Sequence, residues 1–209
     1  MIIAVDGPTA SGKGTIAKQL AAHFGLPCLD TGLLYRAVGW QVSANDGDHD
    51  SEADAVAACA FPDELLENPE LRSEEAGGRA SRVSVHPGVR KALFERQRAF
   101  AEQPGGAVLD GRDIGTVIAP DADVKLFITA SVQERARRRW LEMTGREIEI
   151  PLAEIEKDIV ARDARDINRK DAPLKAAPDA MVIDTTAFDK DQAFEAVLEA
   201  VRDHLAQNP

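Results

Sequence analysis

"GPTASGKGT", residues 7–15, stands between the apolar run "MIIAVD" and the stretch "IAKQLAAHFG", whose apolar residues recur at helical spacing. A strand that enters a glycine-rich turn and then a helix leaves several backbone N–H groups pointing into one concavity, with the positive end of the helix behind them. Such a cradle suits phosphate. Gly7 to Lys13 fit the phosphate-loop pattern of glycine, four residues, glycine and lysine, and both flanks carry the strand and helix signals that this pattern needs as context. The plainer alternative is that Gly7, Gly12 and Gly14 only supply the positive φ angles of a tight turn. It does not account for the matching flanks.

In the strict pattern Ser or Thr follows the lysine directly, whereas here Gly14 comes next and Thr15 after it. Lys13-Gly14-Thr15 resembles the variant of nucleoside monophosphate kinases. A chain of 209 residues with 44% hydrophobic content can bury one sizeable core with small inserted lobes. Its start, "MIIAVDG", has neither a basic leader nor a long apolar segment, and no stretch approaches the roughly 20 apolar residues that span a bilayer. The expectation is a soluble, cytoplasmic protein. Cys28 and Cys59 lie far apart without paired spacing, which suggests packed thiols and no disulfide framework or thiolate metal site.

The formal charge of −11 argues against a nucleic acid or acidic membrane partner, which calls for a basic face. Residues 41–80 carry eleven acids against Arg72 and Arg79, while residues 81–100 are net positive. Arginines gathered in an acidic protein suit a small polyanion held inside, or else pair with acids on solvated helices.

Short apolar runs at 2–5, 26–29, 107–110, 124–128 and 180–184 alternate with helical stretches at 13–24, 32–43, 88–102, 132–143, 152–167 and 190–206. Capping patterns open two of these, "SVQE" at 131 and "DKDQ" at 189. The alternation predicts an α/β fold with a parallel sheet covered on both faces and ligands beyond the carboxyl ends of the strands. Gly7, Thr31, Asp110 to Asp113 and Thr185 fall there. Residues 45–80, acidic and punctuated by Pro and Gly with a short helical pattern at 52–60, read as a small inserted lobe rather than a packed layer. Residues 140–150 read as a flap. The expected organisation is one domain, with core 1–44 and 81–209, an insert at about 45–80 and a lid at about 138–152.

Several other chemistries fail on spacing. "DGDHDSEAD" from Asp46 begins like a calcium loop, but Ser51 stands where the sixth-position glycine belongs and Ala57 where the closing glutamate belongs. The four histidines are scattered, so zinc has no ligand cluster, and no Gly-x-Ser-x-Gly elbow occurs. A guanine-reading Asn-Lys-x-Asp is also missing: "NRKD" at 168–171 has its lysine one place late.

Beyond the phosphate loop, "LDTGLLYR" (29–36), "SRVSVHPGVR" (81–90), "LDGRDIGTVIAPDA" (109–122) and "RDARDINR" (162–169) carry a family resemblance. With these motifs in order, the chain resembles bacterial cytidylate kinases over nearly its whole length. The resemblance implies a phosphate-loop nucleoside monophosphate kinase fold, three-layered on five parallel strands, with a nucleotide-binding insert and a lid. It assigns Gly7, Pro8, Thr9, Ala10, Ser11, Gly12, Lys13, Gly14 and Thr15 to ATP. Thr31 (a serine in relatives), Arg36, Arg112 and Arg169 would surround the acceptor phosphate; Ser81, Arg90 and Asp113 would read cytosine, and Arg162 and Asp166 would hold the ribose. Lys13, Arg112, Arg162 and Arg169 are the expected catalytic residues. The insert looks shorter than in relatives, although "LRSEEA" (71–76) resembles its end.

Cytosine offers an amine donor with N3 and O2 as acceptors, so its site needs a carboxylate on one edge and a cationic or hydroxyl donor on the other. Asp113 with Arg90 and Ser81 supplies that set; the alternative is that Asp113 only pairs with Arg112 or caps the next helix. A monophosphate is already mostly dianionic at neutral pH, so charge neutralisation matters more than a general base. Thr15 and Asp110 are candidates for a magnesium shell, directly or through water, and Arg138, Arg139 and Arg146 near the flap could approach ATP. The expected activity is transfer of the γ-phosphoryl group of ATP to CMP and dCMP by a monomer using Mg2+. Another small-acceptor kinase, or an ATP-binding regulatory protein without acceptor-stimulated turnover, are the alternatives.

Overall fold

Strands buried on both faces are apolar throughout, and the two innermost runs behave in this way: Ile2–Asp6 (β1) and Ala107–Gly111 (β3) are buried along almost their entire length. With Cys28–Asp30 (β2), Val124–Thr129 (β4) and Met181–Asp184 (β5), they form a parallel sheet in the order β2-β3-β1-β4-β5 in the computed structural model, which describes residues 1–208. Eight helices follow the chain: α1 Lys13–Phe24, α2 Thr31–Ala44, α3 Glu52–Ala57, α4 Glu74–Val83, α5 Pro87–Ala101, α6 Val132–Thr144, α7 Leu152–Asn168 and α8 Lys190–Gln207.

Alternation along β1 divides the core. Ile3 and Val5 pack with Leu126 and Ile128 of β4 against Ile16 and Leu20 of α1 and Val197 and Val201 of α8. Ala4 and Leu109 face the other way, onto Ile114 and Ile118, which belong to a single π-helical turn spanning Ile114–Ile118. Gly7, Thr31, Arg112 and Thr185 therefore leave the sheet along one edge. Both expected helix caps form: Ser131 Oγ accepts from Glu134 N, and Asp189 closes a capping box with Gln192.

The insert, expected as a small lobe rather than a packed layer, is helical and packed. It contains α3, two 3-10 turns (Asp63–Glu67 and Pro69–Arg72) and the start of α4, a helix that the sequence pattern did not suggest. Ala55, Phe61 and Leu71 of the insert join Leu34, Val38, Val83 and Leu93 in one buried cluster, so it is packed onto α2 and α5. The expected lid comprises the end of α6, the connection 145–151 and the start of α7; Ala136, Met143, Ile155 and Ile159 form its own cluster. Among the described residues no helix is long and apolar enough to cross a membrane.

Candidate active site

The glycine-rich loop owes its shape to close approaches. A Cβ on Gly7, which has φ +151°, would lie 2.0 Å from the carbonyl oxygen of Ile128, so only glycine lets β1 turn beside β4. Gly12 has a left-handed φ of 90° and sits at the start of α1 without a side-chain cap, which leaves the first N–H groups of the helix for an anion. Gly14 explains the departure from the strict pattern: a Cβ there would meet Asp110 Oδ2 at 2.9 Å. The hydroxyl-bearing residue is displaced by one place because Asp110 occupies the space beside position 14.

Lys13 is buried, with Nζ 3.7 Å from Asp110 Oδ1. Burial and the nearby Arg112 push its ammonium down to about 8, against the attraction of Asp110. Burial raises the Asp110 carboxyl, while Lys13 opposes that rise. Asp110 Oδ1 has no hydrogen-bond donor. Thr15 is exposed to the neighbouring cleft, and a carboxylate with a hydroxyl is the hard oxygen donor set that magnesium takes.

The cleft, of about 1060 Å³, is lined on one side by Thr9 to Gly12 and Thr15, and on the other by Arg36, Arg162 and Arg165. Arg36 Nη1 donates to the carbonyls of Leu71 and Ser73 at 2.8 and 2.9 Å, which ties α2 to the insert. Arg162 Nε is buried and has no partner, and burial together with Arg112 pushes the guanidinium down to about 9. Among the described residues neither guanidinium forms an ion pair, although Glu74, Glu75 and Asp158 also line the cleft, so both keep charge free for an anion.

None of the remaining expected acceptor residues lines this cleft itself; Ser81 meets the wall through Arg165. Asp113 is buried in ion pairs with Arg90 and, at 3.4 Å, Arg169; Arg112 Nε donates to Asp166 Oδ2 at 3.1 Å; Thr31 Oγ1 donates to the carbonyl of Asp110 at 2.8 Å. Asp113 thus pairs with neither Arg112 nor the N–H groups of its own turn, since it makes no side-chain cap bond. Ser81 lies inside α4 and accepts from Arg165 Nε at 3.0 Å. Arg138 stands beside the phosphate loop but donates to the carbonyls of Ser11 and Thr185, making it part of the wall. Arg139 pairs with Glu74 across the cleft and Arg146 with Glu142 on the lid, so neither reaches the phosphate loop.

Three groups had escaped sequence reading. Arg135, almost fully buried, donates to the carbonyls of Ala130 and Thr9 and pairs with Asp163 of α7 at 2.6 Å, joining phosphate loop to α7. Its inward phase on α6 was readable, but not its choice among neighbouring arginines. Arg165 was hidden in the same way within "RDARDINR". Asp6, the last residue of β1, accepts from the N–H groups of Ile114 and Gly115 at 2.9 and 2.8 Å. Burial pushes its carboxyl up to about 7, against those two bonds and with help from Asp113 and Asp110. No sequence signal marks a buried acid that serves a turn more than a hundred residues away.

Comparison with known proteins gives the family. The family model for cytidylate kinase matches residues 3–203. A cytidylate kinase of Caulobacter vibrioides (strain NA1000 / CB15N) is 50% identical over 208 residues, covering 99% of this chain and 98% of the relative. One from Methylocella silvestris is 54% identical, with 96% and 94% covered. Among solved structures, an uncharacterized protein from Eubacterium ventriosum superposes with a TM-score of 0.57 at 15% identity, covering 97% of this chain and 98% of that one, a likeness of fold alone. The chain belongs to the cytidylate kinase family.

Proposed function

We propose that the γ-phosphoryl group of ATP passes to CMP, and to dCMP, across the cleft between the phosphate loop and the α2–α7 wall. The observation that carries this reading is that Arg36 and Arg162, neither of them in an ion pair among the described residues, share one cleft with the phosphate loop. The residues from Gly7 to Thr15 bind the triphosphate. Lys13 neutralises it at the junction. Arg36, Arg112, Arg162 and Arg169 hold the acceptor phosphate in line, joined by Thr31 once its one hydroxyl proton turns from the Asp110 carbonyl; Arg162 and Asp166 also hold the ribose. Positioning and charge cancellation are the main devices available to phosphoryl transfer. Mg2+ arrives with ATP, and Thr15 and Asp110 fit its shell, where the ion supplies charge neutralisation of the phosphate oxygens. Arg138 shapes the wall of the ATP site, and closure of the lid excludes water that would otherwise take the phosphoryl group. The protein acts as a monomer in the cytoplasm, where nucleotide substrates are found.

Asp113, with two lone-pair directions to spare beside Arg90 and Arg169, accepts from the cytosine amine, while Arg90 and Ser81 donate to N3 and O2. Uracil presents a carbonyl to Asp113 in place of the amine, at a cost of about 1 to 3 kcal/mol. ADP release should therefore depend on CMP or dCMP, with UMP weaker and AMP and simple sugars inactive. Asp113→Asn should reduce the preference for CMP over UMP by about tenfold. Equal turnover on all acceptors would remove the assignment.

A further inference from the structure

We infer that Asp6 is a positioning residue that frees Asp113 to read the acceptor base. Asp113 stands at the N-cap of the π-helical turn Ile114–Ile118, where an aspartate ordinarily turns its carboxylate onto the N–H groups two or three residues on, here Gly115 and Thr116. Here it does not. The Gly115 N–H, together with that of Ile114, is instead taken by the two oxygens of Asp6, one each, at 2.8 and 2.9 Å. Asp6 is 4% exposed and fixed in the central strand, opposite Gly111 of β3 on one side and Phe127 of β4 on the other. The cap comes from a rigid strand, and the carboxylate of Asp113 remains turned toward Arg90 and Arg169. Asp6 also directly precedes Gly7, so one side chain ties the start of the donor loop to the loop carrying Arg112 and Asp113. This inference rests on the assignment of Asp113 to the base.

In Asp6→Asn the side chain keeps a single acceptor oxygen and sets an N–H against a backbone N–H. One turn donor loses its partner, and Asp113 becomes the nearest replacement cap. The expected result, at a temperature where circular dichroism shows the variant folded, is a KM for CMP raised about tenfold and a CMP-over-UMP preference reduced about tenfold, with the KM for ATP changed less than about threefold. A merely structural role would lower the melting temperature and leave both acceptor readouts alone. A folded Asp6→Asn protein with unchanged KM for CMP and unchanged preference overturns the inference. Amide exchange on the wild type tests the bridge independently of folding of the variant: the Ile114 and Gly115 N–H groups should exchange as slowly as those of β1, and exchange at loop rates overturns it. If the wild type itself fails to distinguish CMP from UMP, the base-reading role of Asp113 falls; slow exchange would still show the Asp6 bridge intact.

Discussion

The space beside Gly14 decides how the phosphate loop and the strand-ending acid fit together. Gly14→Ala would bring a Cβ to within 2.9 Å of Asp110 Oδ2 and force that carboxylate away from Lys13. Steady-state kinetics should show kcat reduced by about tenfold or more while the melting temperature moves by only a few degrees; wild-type kcat would refute the steric reading. The cysteines give a prediction in pH. Burial pushes both the Cys28 and the Cys59 thiols up to about 11. Raising the pKa disfavours the reactive thiolate, so at pH 8 alkylation should be about a hundredfold slower than for a free thiol. Its rate should go on rising tenfold per pH unit up to about pH 10, where a free thiol has levelled off. Fast labelling of the folded protein at pH 8 would contradict this.

At the scale of elements, the fit of α2 against α4 matters most for the acceptor wall. A Cβ on Gly39 of α2 would come within 2.8 Å of Arg79 Cβ and 3.1 Å of its backbone, so the helices touch through the missing side chain. Gly39→Ala should destabilise the protein by about 1–3 kcal/mol in denaturant unfolding and raise the KM for CMP, because α4 carries Ser81 and borders Arg36. A neutral effect on both would show that the helices can part freely. This contact also explains what the sequence concealed. The strands were legible because burial on both faces makes apolar runs, and the helices packed on them because their apolar spacing is regular. By contrast, "EEAGGRASRV" carries two glycines and four charged residues, and despite a local start signal, Ser73 before two glutamates, it becomes α4 only through packing on α2, which is not a local pattern. The motif residues of the site were legible for the opposite reason, since their spacing is fixed by phosphate and base chemistry. Asp6, Arg135 and Arg165 act on the backbone or on other side chains, so nothing nearby in sequence identifies them.

At the scale of the molecule, a rigid sheet carries the donor loop, while the insert and α7 bring the acceptor groups. Glu74 of the insert and Arg139 of the lid already pair across the cleft between them. With ATP alone the cleft admits water, and with both nucleotides it is expected to close. Hydrolysis of ATP without an acceptor should therefore be at least about a hundredfold slower than transfer, as measured by phosphate release; comparable rates would mean that closure protects nothing. The most direct test of the central claim, that this cleft joins a triphosphate to a cytidine monophosphate, is a 31P NMR time course on the purified protein with magnesium, ATP and CMP. The account predicts that the resonances of CDP and ADP grow in equal amounts with little free phosphate. An unchanged CMP signal, or phosphate appearing in place of CDP, would contradict it.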